Sequence, residues 1–236
     1  LVMDTALVSG NLYRIGIACH GYADTWAHQN FVGYDSEFNS MTGPLSAAIP
    51  NIGHAEAAHA PDRAALVWQD ARLIHEPIDN KARFLAAAAG VLRKLAKYVD
   101  AKITKEELGR RETGLKDDLD RCIGGPDQTN AHESRRIARY RELARSPEYG
   151  GRDLEPYDVH RWMDEAVNEK VRGLRDRSGR FIARLDPFTD IYTWKDRENC
   201  KQTHWRRFQE AVKRHQEETW EILADRNFQG LELPNL

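Results

Sequence analysis

The sequence predicts an all-α protein, a multi-helix bundle interrupted by long ordered loops. Two observations carry that prediction. Apolar side chains recur with helical period in several stretches. The fullest runs from Lys81 to about Lys102, where Phe84, Leu85, Ala88, Val91, Leu92, Leu95 and Val99 share one face. Helix start and stop signals bracket such stretches: Asp79-Asn80 before this one, Thr104 with Glu107 three residues on before the next, and Gly124-Gly125-Pro126 after it. At 236 residues the chain can bury a full core. It reads as one mostly helical domain, 1–236, with a metal-site half at 1–75 and a helical scaffold at 76–236.

Taken in order, residues 1–10 read as the end of an earlier element, with Asp4 their one acidic side chain. Ser9-Gly10-Asn11 opens a helix that runs to about Gln29 or Asn30. From Phe31 to Pro50, Gly, Ser, Asn, Asp and Pro interleave with Phe31, Tyr34, Phe38 and Met41, the composition of a long loop ordered by aromatic anchors. Asp62 is placed to cap a further helix, Arg63 to Leu73, apolar on one side through Leu66, Val67 and Leu73, and His75 follows as a terminal or surface residue. After the two scaffold helices, residues 129–145 form an Arg-rich helix whose Glu133 and Glu142 dilute the basic stripe to a solvated face. Ser146 to Pro156 is a Pro/Gly-rich break, and a helix from Tyr157 to about Arg175 follows. Residues 181–194 mix apolar and polar side chains at no clean period, which leaves a covering loop or a short strand pair open. The last helix spans about His204 to Asp225; its His204 and His215 fall nearly on one face, so either could contribute to a site, with packing the first reading of both.

Composition excludes several classes. The net charge is −2, and the two signs are interleaved through the 31% of residues that are charged. A dedicated surface for duplex nucleic acid or an anionic membrane is therefore not implied. No apolar run approaches the ~18 residues that would span a bilayer. Three widely spaced cysteines, Cys19, Cys122 and Cys200, make neither a disulfide framework nor a thiolate zinc site. With no signal peptide visible, a reducing, cytoplasmic setting is the default, and export as an effector is the alternative. The chain begins on Leu1 rather than Met, which reads as a fragment or processed piece of something longer.

The chemistry concentrates at two places. His20, Asp24 and His28 stand four residues apart, so on a helix they fall along one face, and the small or apolar residues around them (Ile15, Gly16, Ile17, Ala18, Cys19, Ala23, Ala27) place that face in a crowded interior. Two imidazoles and a carboxylate at fixed backbone spacing suit a transition metal. The plain alternative is a histidine satisfied by an aspartate partner. The second cluster offers His54, Glu56, His59 and Asp62 within nine residues, separated almost entirely by small or apolar spacers. Glu56 on an exposed face and Asp62 as a helix cap are its plain alternatives. Together the clusters make a site of more than one ion plausible.

The blocks Gly16 to Phe31, Pro50 to Asp62 and the stretch opening at His204-Trp205 resemble an uncharacterised bacterial domain family of unknown function. More distantly, the His20-x3-Asp24 helix followed by further histidines resembles the all-helical superfamily of zinc-dependent phospholipases C and single-strand-specific nucleases. That resemblance implies a multi-helix bundle of the phospholipase C type and one to three zinc ions. In it the His-x3-Asp pair serves the first ions, the aspartate bridging two of them, and His20 and Asp24 match that pair directly. The superfamily's later His-x3-Glu pair is not reproduced: four residues beyond His54 stands Ala58, so His59, Asp62 or Glu56 would substitute. The resemblance also implies ligands from an N-terminal segment, of which only Asp4 is present here.

The expected function is a zinc-dependent hydrolase of phosphoesters acting through a metal-activated water. The metal ligands are His20, Asp24, His28, His54, His59 and Asp62, the catalytic carboxylates Asp24 and Glu56, the latter as general base. Phospholipid head group, nucleic acid and small phosphodiester all remain as substrates, the even charge arguing mildly against a long nucleic acid. The alternative is a non-catalytic helical module with a structural metal, part of a toxin or larger assembly completed by a missing segment or a partner chain.

Overall fold

A computed structural model of the chain describes residues 1–41, 50–70, 72–73, 77–170, 173–175, 181–184 and 191–225. Those residues are mostly helical, as expected, with three small two-stranded sheets. No helix among them is long and apolar enough to cross a membrane. The three cysteines are free thiols. His75 and residues 42–49 of the aromatic loop lie outside the described residues.

The chain divides into two compact units. The first holds α1 (Val2–Val8) almost entirely, α2 (Leu12–Ala27) from Gly16 onward, and the chain from there to Glu155. Its scaffold is α3 (Asn80–Val99) packed on α4 (Lys105–Ile123), with α5 (Glu133–Arg145) against α4. Both scaffold helices begin where their caps predict: the Asp79 carboxylate accepts from Lys81 N and the Thr104 hydroxyl from Glu107 N. Glu107 does not reach back to close a capping box; its carboxylate takes Arg110 and Arg111 instead. Small buried residues on α3, Ala87, Ala89, Gly90 and Ala96, permit close approach of its neighbours. At Gly90 a Cβ would stand 2.7 Å from Trp26 Cη2, so α2 meets α3 at this glycine.

Three parts of this unit depart from the sequence expectation. Residues 1–10 contain a helix of their own, α1. The helix expected over Arg63–Leu73 is absent: Val67–Trp68 forms a strand, β1, paired antiparallel with β2, Ile78–Asp79. A β-branched and an aromatic residue facing a complementary pair made the strand competitive with an equally apolar helix. The Arg-rich helix starts at Glu133 rather than Thr129, because Asn130 takes a left-handed conformation (φ 59°) and Asp127 accepts from the backbone N–H groups of Ala131 and His132. Four of its five arginines have partners: Arg136 bonds Asp127, Arg139 the carbonyls at the end of α4, and Arg141 and Arg145 share Asp153.

The second unit comprises residue 2, residues 9–15 and the described residues from 156 onward. Asn11 caps α2 by accepting from Tyr13 N and Arg14 N. In place of a helix to Arg175, α6 (Arg161–Ala166) stops after six residues and the chain turns into β3 (Val167–Lys170). β3 pairs with β6 (Ile191–Trp194), while β4 (Gly173–Arg175) pairs with β5 (Phe181–Arg184), both antiparallel. α7 (His204–Asp225) matches its expected span. Its Glu218 neutralises the buried Arg14, and His204 stacks on Trp162 at 5.3 Å while bonding the Tyr13 hydroxyl at 2.6 Å. His204 is thus a packing residue, and His215, part of the same helix, is pushed below the ordinary imidazole range by burial and by Arg14.

Candidate metal centre

All site residues belong to the first unit. His28 stands just beyond α2, its N–H donating to Asp24 O at 2.9 Å so that the last turn is continued. That helix end is fixed by Arg83, which donates to Ala27 O at 3.2 Å, and by Tyr22 and Trp26, packed edge to face at 4.8 Å beside Gly90.

The other side of the site is loop, and buried polar side chains hold it. Asn39, 2% exposed, accepts from Val32 N and donates to the carbonyls of Val32, Tyr34 and Asn51. Asn80, fully buried, donates to Ala60 O at 2.6 Å and Arg63 O at 2.9 Å and accepts from Trp68 Nε1 at 3.0 Å. Asp70, also fully buried, takes a two-pronged bond from Arg72, which stacks over the Phe31 ring at 4.3 Å and donates to Phe38 O. Burial alone would push the Asp70 carboxyl up, but the bonds from Arg72 outweigh it and hold the group below its ordinary value. Each hub satisfies loop carbonyls or N–H groups that burial would otherwise leave unpaired.

On this frame His28, His54 and Asp62 converge, one ligand atom of each lying within 4.8 Å of the others. His28 Nε2 is 3.0 Å from Asp62 Oδ1, and His54 Nε2 is 4.0 Å from Asp62 Oδ2. The two imidazoles are stacked at 4.3 Å, and Phe31 meets His54 edge-on at 6.1 Å. His54 donates its Nδ1 proton to Ala58 O at 2.8 Å, which leaves the lone pair on Nε2, the atom that faces Asp62. Ala58 presents that carbonyl from a positive-φ conformation (φ 49°) that a non-glycine residue adopts only at a cost. The donor set, two imidazole nitrogens and one carboxylate, with a tautomer fixed by a backbone partner, fits a divalent transition metal of the zinc type.

The remaining expected site residues are placed as follows. His59 Nδ1 lies 3.7 Å from Asp62 Oδ2 at the edge of the cluster, with its side chain 81% exposed. Asp62 caps no helix. Glu56 bonds Met41 N through Oε2 at 2.7 Å, and its buried Oε1 has no partner among the described residues. His20 and Asp24 pair with each other at 3.4 Å apart from the triad. The crowded interior expected around them is not found, His20 being 82% exposed, because the face of α2 that packs on α3 is the one bearing Tyr22 and Trp26. Sequence reasoning missed Asn39, Asn80 and Asp70 as organisers of the site.

Fold and geometry thus define a mostly helical protein with a two-histidine, one-carboxylate cluster at the junction of a helix end and an ordered loop. The chain belongs to the family of unknown function DUF6765, whose model matches residues 2–223. No curated protein and no solved structure matches it, and the comparisons give no support to the resemblance to zinc-dependent phospholipases C and single-strand-specific nucleases.

Proposed function

We propose that the protein is a metal-dependent hydrolase of phosphoesters, with its primary ion held by His28 Nε2, His54 Nε2 and Asp62. The observation that carries this reading is the open donor set: two imidazoles and one carboxylate converge, and one imidazole is locked by Ala58 O in the ligating tautomer. Three protein ligands leave a position for water and substrate, the arrangement of catalytic rather than structural zinc. An ion bound there supplies an acidified water and a positive charge beside the phosphoryl oxygens. His28 Nε2 and Asp62 Oδ1, 3.0 Å apart, stand at the spacing of two ligands of one ion, and Phe31, itself covered by Arg72, stands edge-on to His54. Glu56, with Oε2 accepting from Met41 N, has no partner for Oε1 among the described residues, and we assign that oxygen to proton transfer. The His20–Asp24 pair offers two further donors outside the triad, and we place it after the triad in order of filling.

A second reading is a structural metal in a non-catalytic module, and the nearness of His59 to Asp62 favours it, since a fourth protein ligand would close the site. Elemental analysis of purified protein, run beside hydrolysis of a chromogenic phosphodiester, separates the two. The catalytic reading expects near-stoichiometric metal and hydrolysis that Asp62→Asn abolishes together with the metal. Glu56→Gln, which keeps an acceptor for Met41 N, should abolish hydrolysis and retain the metal. Metal without hydrolysis favours the structural reading, and absence of metal removes both.

A further inference from the structure

Asp62 faces two ways. Besides the histidines, it lines a cleft of about 400 Å3 bounded by His59, Arg63 and the opening of α5 with Asn130, Glu133 and Tyr140. Two walls of this cleft are tied together, since Asp127 N donates to Ala65 O at 2.8 Å while the Asp127 carboxylate accepts from Arg136 and from the backbone N–H groups of Ala131 and His132, just before α5. Arg136 also lines the cleft, but Asp127 at 2.7 Å and Asn130 satisfy it, so it shapes the wall without adding free charge. Arg63 differs. It is half-buried, and its guanidinium has no hydrogen-bond or ion-pair partner among the described residues. A guanidinium left unpaired in a concave site beside a metal cluster is suited to an oxyanion, which it can grip through two parallel N–H groups.

We propose that this cleft seats the phosphoryl group of the substrate, that Arg63 grips it, and that the substrate is a small phosphodiester. The inference rests on the metal-dependent phosphoesterase reading above. Its charge count selects the diester. Counted over the ion and the cleft's own lining, which does not include Glu56, the divalent ion and Arg63 bring three positive charges, and Asp62 and the exposed Glu133 remove two, which leaves one to meet the single negative charge of a diester rather than the two of a monoester. The volume selects a small molecule: about 400 Å3 sits near the lower end of ligand pockets, ~300–1,000 Å3, with room for a phosphoryl group and one substituent of sugar or glycerol size. Ile137 and Tyr140 offer that substituent an apolar side.

The test uses dimethyl phosphate and methyl phosphate as probes of the metal-loaded protein, titrated by calorimetry, with bound metal measured in each sample. Wild-type protein should bind the diester more tightly than the monoester. Arg63→Met should keep its metal and lose about tenfold or more in diester affinity, the loss of a charge-assisted hydrogen bond. Arg63→Lys should restore part of it, and Glu133→Gln should shift preference toward the monoester. Undiminished diester binding by metal-loaded Arg63→Met overturns the assignment of the cleft and leaves the metal reading standing. Wild-type protein that binds no metal overturns both.

Discussion

Replacing Asn80 by alanine should damage the site from a distance. The Asn80 amide makes three hydrogen bonds, to Ala60 O, Arg63 O and from Trp68 Nε1, in a position that is 0% exposed. Each is worth roughly 1 kcal/mol net, and truncation also leaves a small void and partly buried carbonyls without a donor, so the loss should reach about 2–4 kcal/mol. Against a total stability of ~5–15 kcal/mol this is easily read. Urea unfolding followed by tryptophan fluorescence should show a lower midpoint at unchanged slope. Because both carbonyls flank Asp62, zinc affinity should fall as well. Asp79→Ala is the control: it removes the cap of the same helix, costing about 1 kcal/mol, without touching the 60–66 loop. Asn80→Asp should be worse than alanine, since a carboxylate would face two carbonyl oxygens. An Asn80→Ala loss below about 1 kcal/mol, or zinc affinity unchanged beside a normal-sized loss, would refute the role given to this residue.

Three further outcomes follow from the geometry. Gly90→Ala should destabilise by about 1–3 kcal/mol despite alanine's better helix propensity, because its Cβ would press on the Trp26 ring; thermal unfolding checks this. Asp70→Asn should cost about 2 kcal/mol or more at neutral pH by breaking a buried pair with Arg72. The Asp70 carboxyl is held below its ordinary value, so its contribution is full above about pH 4 and is lost as the pH falls through the lowered folded value. Wild type and variant should therefore converge in stability in acid, which unfolding curves across pH will show. His59→Ala should leave zinc affinity within a few-fold of wild type if the site is the open triad, and calorimetry decides it.

The long helices were legible because their signals are local. Caps at Asp79 and Thr104, the Gly124 stop and sustained apolar periods define α3, α4 and α7 without reference to the rest of the chain. The strands were not, because β3 is made by its partner: Val167–Lys170 continues a helical pattern until Ile191–Trp194 pairs with it, some twenty residues on. In the site, the residue types were visible but their convergence was not. Which of His20, Asp24 and His28 meets the second cluster depends on how α2 rolls against Gly90, and one histidine, His28, is delivered. Asn39, Asn80 and Asp70 gave no signal as hubs, since a buried polar side chain in a loop or at a helix start has the same letters as an exposed turn or cap.

His28, His54 and Asp62 are proposed to hold one ion between them. Calorimetric titration of metal-free protein with zinc tests it most directly, on the wild type, Asp62→Asn and Asp24→Asn side by side. One zinc per chain should bind the wild type, with affinity reduced about a hundredfold or more by Asp62→Asn and little changed by Asp24→Asn. Equal affinity of wild type and Asp62→Asn, with the loss falling on Asp24→Asn instead, would contradict the claim and place the ion on the exposed face of α2.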